Sequence, residues 1–451
     1  MKKPIIVILL LAAHLLLLIK VQFTAWPEMS TWPYLLLHNL MPYKDIAMAH
    51  TPLLITILAG VYKIFGTGIL QLQIFTWILI LITDIGLYLL MRKVSNSKAA
   101  VIALLSYISL QVFYQGNGLW FDLALAPLAL LAYHLLRKKK FVWAGVVWGI
   151  AFLTKQTAFW FLAPVAFVIL SSSGRWIKLV RFIAGSLAVF VSSGLVLYLA
   201  GIWVDFWFWA VKFGVTFLPQ AKGQILFPAL RQFTVYLFPF VILFYYLARN
   251  HEAPRPYGQG IFSHASSGAE SLRSKNTSLT HGLTFGVFAK GDKRDGITLV
   301  LFALAGLMGL YPRWELFHFQ PALPFLAIVI GICLAKFDKA KNFAKISLVL
   351  YSLAIAVLFG RFVVRNWTCA VRLPTSVTAP PFRTERAAAS TVEPSPTASI
   401  AASAPRSPVS RMISGHTATT DESTMSVAPT LPASSSRSAA TSTARMRLHP
   451  H

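Results

Sequence analysis

Long apolar runs alternate with short basic segments over the first 365 residues of this 451-residue chain. The first run, Pro4 to Ile19, follows Lys2 and Lys3. A helix of about 20 apolar residues crosses a bilayer, and ten further spans can be drawn after the first run. The pattern therefore predicts an all-α, polytopic membrane protein with about eleven transmembrane helices.

The basic residues between the runs predict the orientation, because Lys and Arg collect on the cytoplasmic side of a membrane. Arg92 and Lys93 follow the second span, and residues 137–140 form the strongest basic cluster. We therefore predict a multi-pass plasma-membrane protein with a cytoplasmic N-terminus. This topology has a first outer loop at 21–68 and a cytoplasmic loop at 249–296.

Two shorter features refine this topology. Thr51 to Gly66 is apolar but has only 16 residues, too few to cross, so we predict an interfacial helix in the first outer loop. The polar group Leu153-Thr154-Lys155-Gln156 interrupts the apolar chain that lies between two basic clusters. That interruption predicts a hairpin of two short helices with Lys155 near the outer turn.

The C-terminal segment has a different composition. Residues 366–451 are rich in Ser, Thr, Ala and Pro, with eight Arg and no Lys. Too few bulky apolar residues are present to offset the chain entropy of folding. We predict a disordered tail after a transmembrane domain at 1–365, and the change in composition raises the question of whether the tail is native.

Composition excludes several function classes. The mean hydropathy is +0.63 and the net charge is +26. In a soluble protein that charge would suggest nucleic acid, but here it follows the membrane topology, so no nucleic-acid partner is expected. Two Cys with no metal-like spacing give neither a disulfide framework nor a metal site.

Acidic residues are rare, numbering 15 in the chain, and charge near a membrane is expensive, so their positions are informative. The segment Pro42 to Leu54 brings Lys44, Asp45 and His50 together in the first outer loop. Asp45 is the candidate base of a reaction at the outer surface. The alternative interpretation is that Asp45 only caps a short interfacial helix or pairs with Lys44.

Other candidates are predicted to face the same side. Each has a structural alternative: an interface anchor for Arg313, snorkelling for Lys155, a carbonyl contact for His318 and an ion pair for Asp122. Asp84 lies within a span and is interpreted as a packing or hydrogen-bonding residue. The candidates beyond the first loop are Asp122, Lys155, Lys222, Arg313, Glu315 and His318.

Three motifs together resemble a known family: PYKDIAMAHTPL, GIAFLTKQT and YPRWELFHFQPALP. They are similar to membrane glycosyltransferases of the C-type fold, especially the protein O-mannosyltransferase-like and lipid A aminoarabinose transferase-like group. The resemblance covers residues 1–365. It implies transfer of one sugar from a polyprenyl-phosphate carrier to a lipid, glycan or protein acceptor outside the cytoplasm.

The resemblance also implies residue roles. Asp45 matches the presumed catalytic base and Asp122 matches a second acid at an outer helix end. The chain has His50-Thr51-Pro52 where several relatives have Lys-Pro-Pro, so the implied phosphate contact falls on His50.

One base and a lipid-phosphate leaving group predict direct displacement with inversion at the anomeric carbon. The leaving phosphate needs a cation, for which Arg313 is preferred because a guanidinium binds phosphate oxygens bidentately. Lys155, Lys222 and His50 are the other candidates in the predicted site, and Glu315 and His318 complete the substrate-binding set.

Two other function classes stay open. A transporter or flippase of a lipid-linked sugar would place ionisable groups near the middle of the membrane on paired repeats. A non-catalytic membrane scaffold would explain the outer charged face less directly. The sequence establishes no cofactor, and a divalent cation at the donor phosphate is left open.

Overall fold

The computed structural model describes residues 2–217, 228–251, 292–311, 314–340 and 342–370. Helices dominate this part of the chain, which contains no β-strand and only two isolated β-bridges. The fifteen α-helices are α1 (Lys2–Lys20), α2 (Pro27–Leu37), α3 (Leu53–Phe65), α4 (Ile69–Val94), α5 (Ser97–Phe113), α6 (Phe121–Arg137), α7 (Phe141–Thr154), α8 (Leu162–Leu170), α9 (Arg175–Leu199), α10 (Trp203–Phe206), α11 (Leu230–Leu237), α12 (Val241–His251), α13 (Asp292–Leu307), α14 (Leu323–Ala335) and α15 (Asn342–Ala370).

Four helices of the described residues are long and apolar enough to cross a membrane. Six shorter apolar helices accompany them, including α1, α3, α5 and α7. The prediction of a helical protein with many apolar segments is confirmed, whereas the count of eleven spans stays a prediction. The four long segments are Ile69–Val94, Arg175–Leu199, Leu230–Ala248 and Asn342–Trp367.

Local sequence sets several helix ends. Asn96 begins α5 by accepting a hydrogen bond from the Ala99 N–H at 2.9 Å, which satisfies one of the free donors of the first turn. Gly66 ends α3 at a φ of +82°, a conformation that glycine adopts without a Cβ clash. This stop leaves α3 13 residues long, as expected for the predicted interfacial helix.

Small residues let two helix pairs approach closely. A Cβ at Gly145 of α7 would lie 2.0 Å from the Phe182 carbonyl oxygen of α9, and one at Gly185 would lie 2.0 Å from the Val142 oxygen. On α14, a Cβ at Gly331 would meet the Ala99 oxygen of α5 at 2.7 Å. These contacts follow the rule that small residues permit tight packing of helices in membranes.

Helix α1 is attached to its neighbours by one buried polar group. His14 Nδ1 lies 2.7 Å from Asp84 Oδ2 of α4, and His14 Nε2 lies 3.1 Å from Gln111 Oε1 of α5. All three side chains are fully buried. The Asn117 side chain donates to the Leu18 and Val21 carbonyls at the end of α1. These contacts fix the start of the first outer loop.

The helix is interrupted at Lys155, as the sequence predicts, and the hairpin itself stays a prediction. Helix α7 ends at Thr154, Lys155 is extended with φ −157° and ψ 135°, and the 3-10 helix Gln156–Phe161 leads into α8. The segment around His318 differs from the sequence interpretation, which began a span there. His318 lies in a separate 3-10 helix, Leu316–Phe319, because Pro324 stands in the first turn of α14, where proline favours a helix start.

Candidate active site

Three of the predicted site residues meet in one buried cluster: Asp122, Lys155 and His318. The Lys155 ammonium donates to Asp122 Oδ2. His318 Nδ1 lies 2.7 Å from the same oxygen and 3.2 Å from Lys155 Nζ. The three side chains come from segments 33 and 163 residues apart along the chain, so only the tertiary fold joins them.

Each member of this cluster is fixed by its own backbone. Asp122 lies in the first turn of α6, where the helix dipole stabilises a carboxylate. Lys155 occupies the break after α7, and its carbonyl accepts the Ala158 N–H at 3.0 Å. His318 is held in its 3-10 helix by a bond from its own N–H to the Glu315 carbonyl at 3.1 Å. The three exposed fractions are 0%, 4% and 8%.

Asp122 has one carboxylate oxygen available for a ligand. Asp122 Oδ1 is buried and has no hydrogen-bond partner, and the same is true of Trp120 Nε1, Thr51 Oγ1 and Thr157 Oγ1 on the adjoining segments. Buried polar atoms are nearly always satisfied by protein, water or ligand. Gly309 leaves the space at Asp122, since a Cβ there would lie 3.2 Å from Oδ1.

His50 lies on the aromatic side of this cluster. Its ring centroid is 4.3 Å from that of Phe121 and 5.8 Å from that of Trp120. Gln156 ties the two segments together by donating to the Ala49 carbonyl at 2.8 Å. Burial, reinforced by the positive charge of Lys155, lowers the pKa of His50 to about 3. His50 is therefore neutral at pH 7 and could contact a phosphate only through a neutral hydrogen bond.

The aromatic wall extends from His50 across the mouth of the cluster. We use this name for six rings in mutual contact. Trp120 and Phe317 have centroids 5.4 Å apart, and Trp26 lies 4.8 Å from Phe317. Trp32 contacts His50, and Phe121 contacts both His50 and Trp120. The aromatic wall comprises Trp26, Trp32, His50, Trp120, Phe121 and Phe317.

Asp45 lies outside the buried cluster, in a tight turn. Its side chain is exposed, and its Oδ2 accepts the Met41 N–H at 2.8 Å. Tyr43, which is fully buried at a φ of +70°, connects this turn to the site because its hydroxyl donates to the His50 carbonyl at 2.8 Å. The contact closes a turn between α2 and α3 and caps neither helix, and the role of Asp45 as base stays a prediction.

The other predicted residues divide into described and undescribed ones. Glu315 is half-buried at the start of the 3-10 helix that carries His318. Lys222 and Arg313 lie outside the described residues. Among the described residues, no group of three or more His, Cys, Asp or Glu has an arrangement that could hold a metal ion. The described residues therefore identify no site for the divalent cation that the sequence left open.

An apolar groove of about 510 Å³ begins beside the buried cluster. It lies between α3, α4, α6 and α7, with Ala124 and Thr154 at one end and Lys93 and His134 at the other. The α4 part of its lining runs from Phe75 to Lys93, which is about 27 Å of helix. A second cavity, of about 410 Å³, is lined by Met41 and other residues beside the Asp45 turn. The two acids thus adjoin different cavities.

Sequence reasoning missed the aromatic wall and the His14–Asp84 pair. His14 is the one polar side chain inside the apolar run of α1, and an ionisable residue at such a position is a signal in itself. The partner could not be read, because Asp84 is 70 residues away. The aromatic rings were hidden by the abundance of Phe and Trp throughout the chain.

Comparison with known proteins finds a family match over about a third of the chain. Residues 49–198 match the family described as dolichyl-phosphate-mannose-protein mannosyltransferase. The resemblance to membrane glycosyltransferases is confirmed. The matched range includes His50, Asp122 and Lys155, whereas Asp45 and His318 lie outside it. None of the curated proteins matches the chain.

Solved structures with a similar course of the chain are also known. ArnT from Cupriavidus metallidurans bound to undecaprenyl phosphate is 14% identical, with a TM-score of 0.49, and the match covers 81% of this chain and 74% of that one. Its apo state gives 13% identity, a TM-score of 0.47 and the same coverage. The apo oligosaccharyltransferase of Archaeoglobus fulgidus gives 14% and 0.42, covering 80% of this chain and 56% of that one.

Proposed function

We propose that this protein transfers a monosaccharide from a polyprenyl-phosphate carrier to an acceptor hydroxyl on the extracytoplasmic face of the membrane, with inversion at the anomeric carbon. One observation carries the proposal: the Lys155–Asp122–His318 cluster lies at the end of a lipid-length apolar groove. The family match supports the donor class, since its description names a lipid-phosphate sugar.

The base in this proposal is Asp45. Its carboxylate is exposed and accepts one backbone hydrogen bond, so it can approach an acceptor hydroxyl. Asp122 is less suited to this role, because its ion pair with Lys155 favours the charged carboxylate and weakens it as a base. Removal of the hydroxyl proton as the oxygen attacks the anomeric carbon is ordinary general-base catalysis.

Lys155 stabilises the leaving group. The departing lipid phosphate gains negative charge in the transition state, and a cation in a low-dielectric site stabilises that charge strongly. Asp122 and His318 hold the ammonium in position. Asp122 Oδ1 is the atom that accepts a hydrogen bond from a sugar hydroxyl. Arg313 and Lys222 are further proposed phosphate contacts, and Glu315 a further sugar contact.

The aromatic wall and the groove bind the two apolar parts of the donor. The faces of sugar rings carry C–H groups that pack on aromatic rings, and Trp120 offers an unpartnered Nε1–H beside such a surface. The groove has mostly apolar walls and a length of about 27 Å along α4, close to the roughly 30 Å thickness of the hydrocarbon layer. A polyprenyl chain therefore fits it in chemistry and length.

The test is transfer from a radiolabelled polyprenyl-phosphate sugar to membrane acceptors by the purified full-length protein. Asp45→Asn keeps the size and the Met41 contact but cannot take up the proton. We expect transfer to fall by about 100-fold or more while donor binding is retained. Asp205→Asn is the matched control, since it removes a half-buried acid that the proposal leaves without a role.

Two results would count against the proposal. Wild-type protein that binds the donor but releases no sugar to any acceptor would favour the transporter or scaffold alternative. An Asp45→Asn variant with near wild-type turnover would remove Asp45 as the base, and Asp122→Asn would then be the variant to measure.

A further inference from the structure

A third cavity, which we call the basic cavity, lies at the end of α6 that is opposite the candidate active site. It has a volume of about 340 Å³. Arg137 on its rim lies 15 positions after Asp122 on α6, which is about 22 Å along the helix axis. The cavity is therefore separate from the proposed reaction. Its charged lining residues are Arg137, Lys139, Lys178, Arg294 and Asp295.

The charges that line the basic cavity do not balance among the described residues. Of the described lining residues, Asp295 is the one carboxylate, and it accepts from Arg137 Nε at 3.3 Å. Arg294 donates to the Ser171 carbonyl at 3.3 Å, which leaves its charge without a carboxylate in that contact. Four cations around one acid create a positive concavity, and such a site attracts an anion.

Two helix starts add to this field. Lys178 belongs to the first turn of α9, and Arg294 and Asp295 to the first turn of α13. The N-terminus of a helix carries partial positive charge and favours bound phosphate. The combination of two such ends with four cations around one cavity is more specific than a general excess of basic residues at a membrane surface.

Lys139 adopts a backbone conformation that usually selects glycine. Its φ is +56°, and bonds from Lys140 N to Leu135 O and from Lys139 N to Leu136 O form the usual helix-ending pattern. Glycine would fit this position without strain. A lysine there accepts a less favourable backbone conformation and adds a cation to the cavity lining.

The uncharged lining is mixed: Leu136, Phe141 and Val168 are apolar, and Tyr133, Ser172 and Thr298 add hydroxyl groups. The cavity also adjoins α9, whose most apolar window is only 22% buried within the protein. A ligand that matches both the cationic lining and the exposed apolar surface of α9 has an anionic head and an apolar body. We propose that the basic cavity binds the phosphate of an anionic phospholipid, on the face of the membrane opposite the candidate active site.

The experiment uses full-length protein, titrated with phosphatidylglycerol or phosphatidylcholine and followed by native mass spectrometry. The variant Lys139→Gln/Lys178→Gln removes two cations and keeps the Arg137–Asp295 pair. Each lysine near a lipid phosphate contributes about 1 kcal/mol, so we expect the apparent Kd for phosphatidylglycerol to rise about tenfold or more. Phosphatidylcholine should bind more weakly than phosphatidylglycerol, and its apparent Kd should be the same in the variant and the wild type.

The control variant Arg92→Gln/Lys138→Gln removes the same charge from exposed positions outside the cavity lining. It should retain phosphatidylglycerol as the wild type does. Equal loss in both double variants would overturn the proposal, because it would reflect surface charge alone. Competition by inorganic phosphate as strong as by the lipid would also overturn it, since the ligand would then be free phosphate.

Discussion

At the scale of single residues, Asp122 keeps its buried charge stabilised through one carboxylate oxygen and leaves the other oxygen free of hydrogen bonds. Lys155 and His318 both contact Oδ2, so Oδ1 is left facing the space beside Gly309. A carboxylate without these partners would be too costly to bury. The same contacts that stabilise the charge therefore direct its free oxygen toward a ligand.

Gly309→Ala tests this geometry. The added Cβ would lie 3.2 Å from Asp122 Oδ1, so either the carboxylate or the segment must shift by a few tenths of an ångström. We expect transfer to fall about tenfold or more, because Asp122 positions both the sugar and Lys155 in the proposed site and small displacements of such a group are costly to the rate. The measurement is the initial rate of sugar transfer. Gly360→Ala, at which a Cβ meets nothing within 4 Å, should leave the rate unchanged.

His50 predicts a pH dependence of stability. Its folded pKa of about 3 lies below the ordinary value of 6.5, so the unfolded chain binds a proton that the folded protein excludes. The contribution of His50 to stability is therefore fully present above pH 6.5 and is lost as the pH falls toward 3. His50→Phe should reduce the decrease in Tm between pH 7 and pH 4 by about 2 °C or more. An identical decrease in both proteins would contradict the neutral, buried imidazole.

Sequence reasoning identified the members of the site better than their arrangement. Asp122, Lys155 and His318 were candidates because polar residues interrupt apolar runs there, and that signal is local. Their mutual contacts depend on how helices far apart in the sequence pack. Asp45 was predicted to share a site with Asp122, and this stays a prediction; the Tyr43 hydroxyl connects the Asp45 turn to the His50 carbonyl.

At the scale of elements, the His14–Asp84 pair joins α1 to α4. Both side chains are fully buried, and removing one partner of such a pair leaves an unpaired charge or polar group. His14→Leu should therefore destabilise the protein by about 3–5 kcal/mol.

The double variant His14→Leu/Asp84→Leu removes both groups and should recover most of that loss, because buried pairs are often replaced by apolar residues at little cost. Unfolding in detergent with increasing denaturant measures both changes. The contradicting result is a double variant that loses more stability than His14→Leu and Asp84→Leu lose when their separate losses are added.

The helix breaks were more predictable than the helix ends. Helix α7 ends just before Lys155, where the sequence predicts an interruption, because Thr154, Lys155 and Gln156 break the apolar pattern locally. Helix α15 instead continues to Ala370, five residues beyond the predicted end of the transmembrane domain at residue 365. Its end could not be read because helix propensity continues past the point where hydrophobicity declines.

At the scale of the whole molecule, the two charged sites lie at opposite ends of α6. The candidate active site adjoins its first turn and the basic cavity its last. The predicted orientation would place the basic cavity on the cytoplasmic side, and that orientation stays a prediction. Residues 49–198 hold Asp122, Lys155 and most of the lining of the basic cavity, whereas the proposed base Asp45 lies outside this family-matched part.

Removal of the C-terminal segment tests the extent of the functional unit. A chain that stops after Ala370 keeps α15 intact and loses a segment too poor in bulky apolar residues to fold on its own. We expect normal membrane expression and at least half of the wild-type transfer rate, measured per mole of purified protein. Normal expression with abolished transfer would assign a function to the tail.

The most direct test of the account replaces Lys155 and Asp122 together. Lys155→Met/Asp122→Asn removes the cation without leaving a buried, unpaired carboxylate, so the fold should be retained. The measurement is single-turnover transfer from the polyprenyl-phosphate sugar, alongside Lys63→Met, which removes an exposed lysine of the first outer loop. The account predicts a loss of about 100-fold or more in the double variant and none in Lys63→Met. Wild-type turnover by a folded double variant would contradict it.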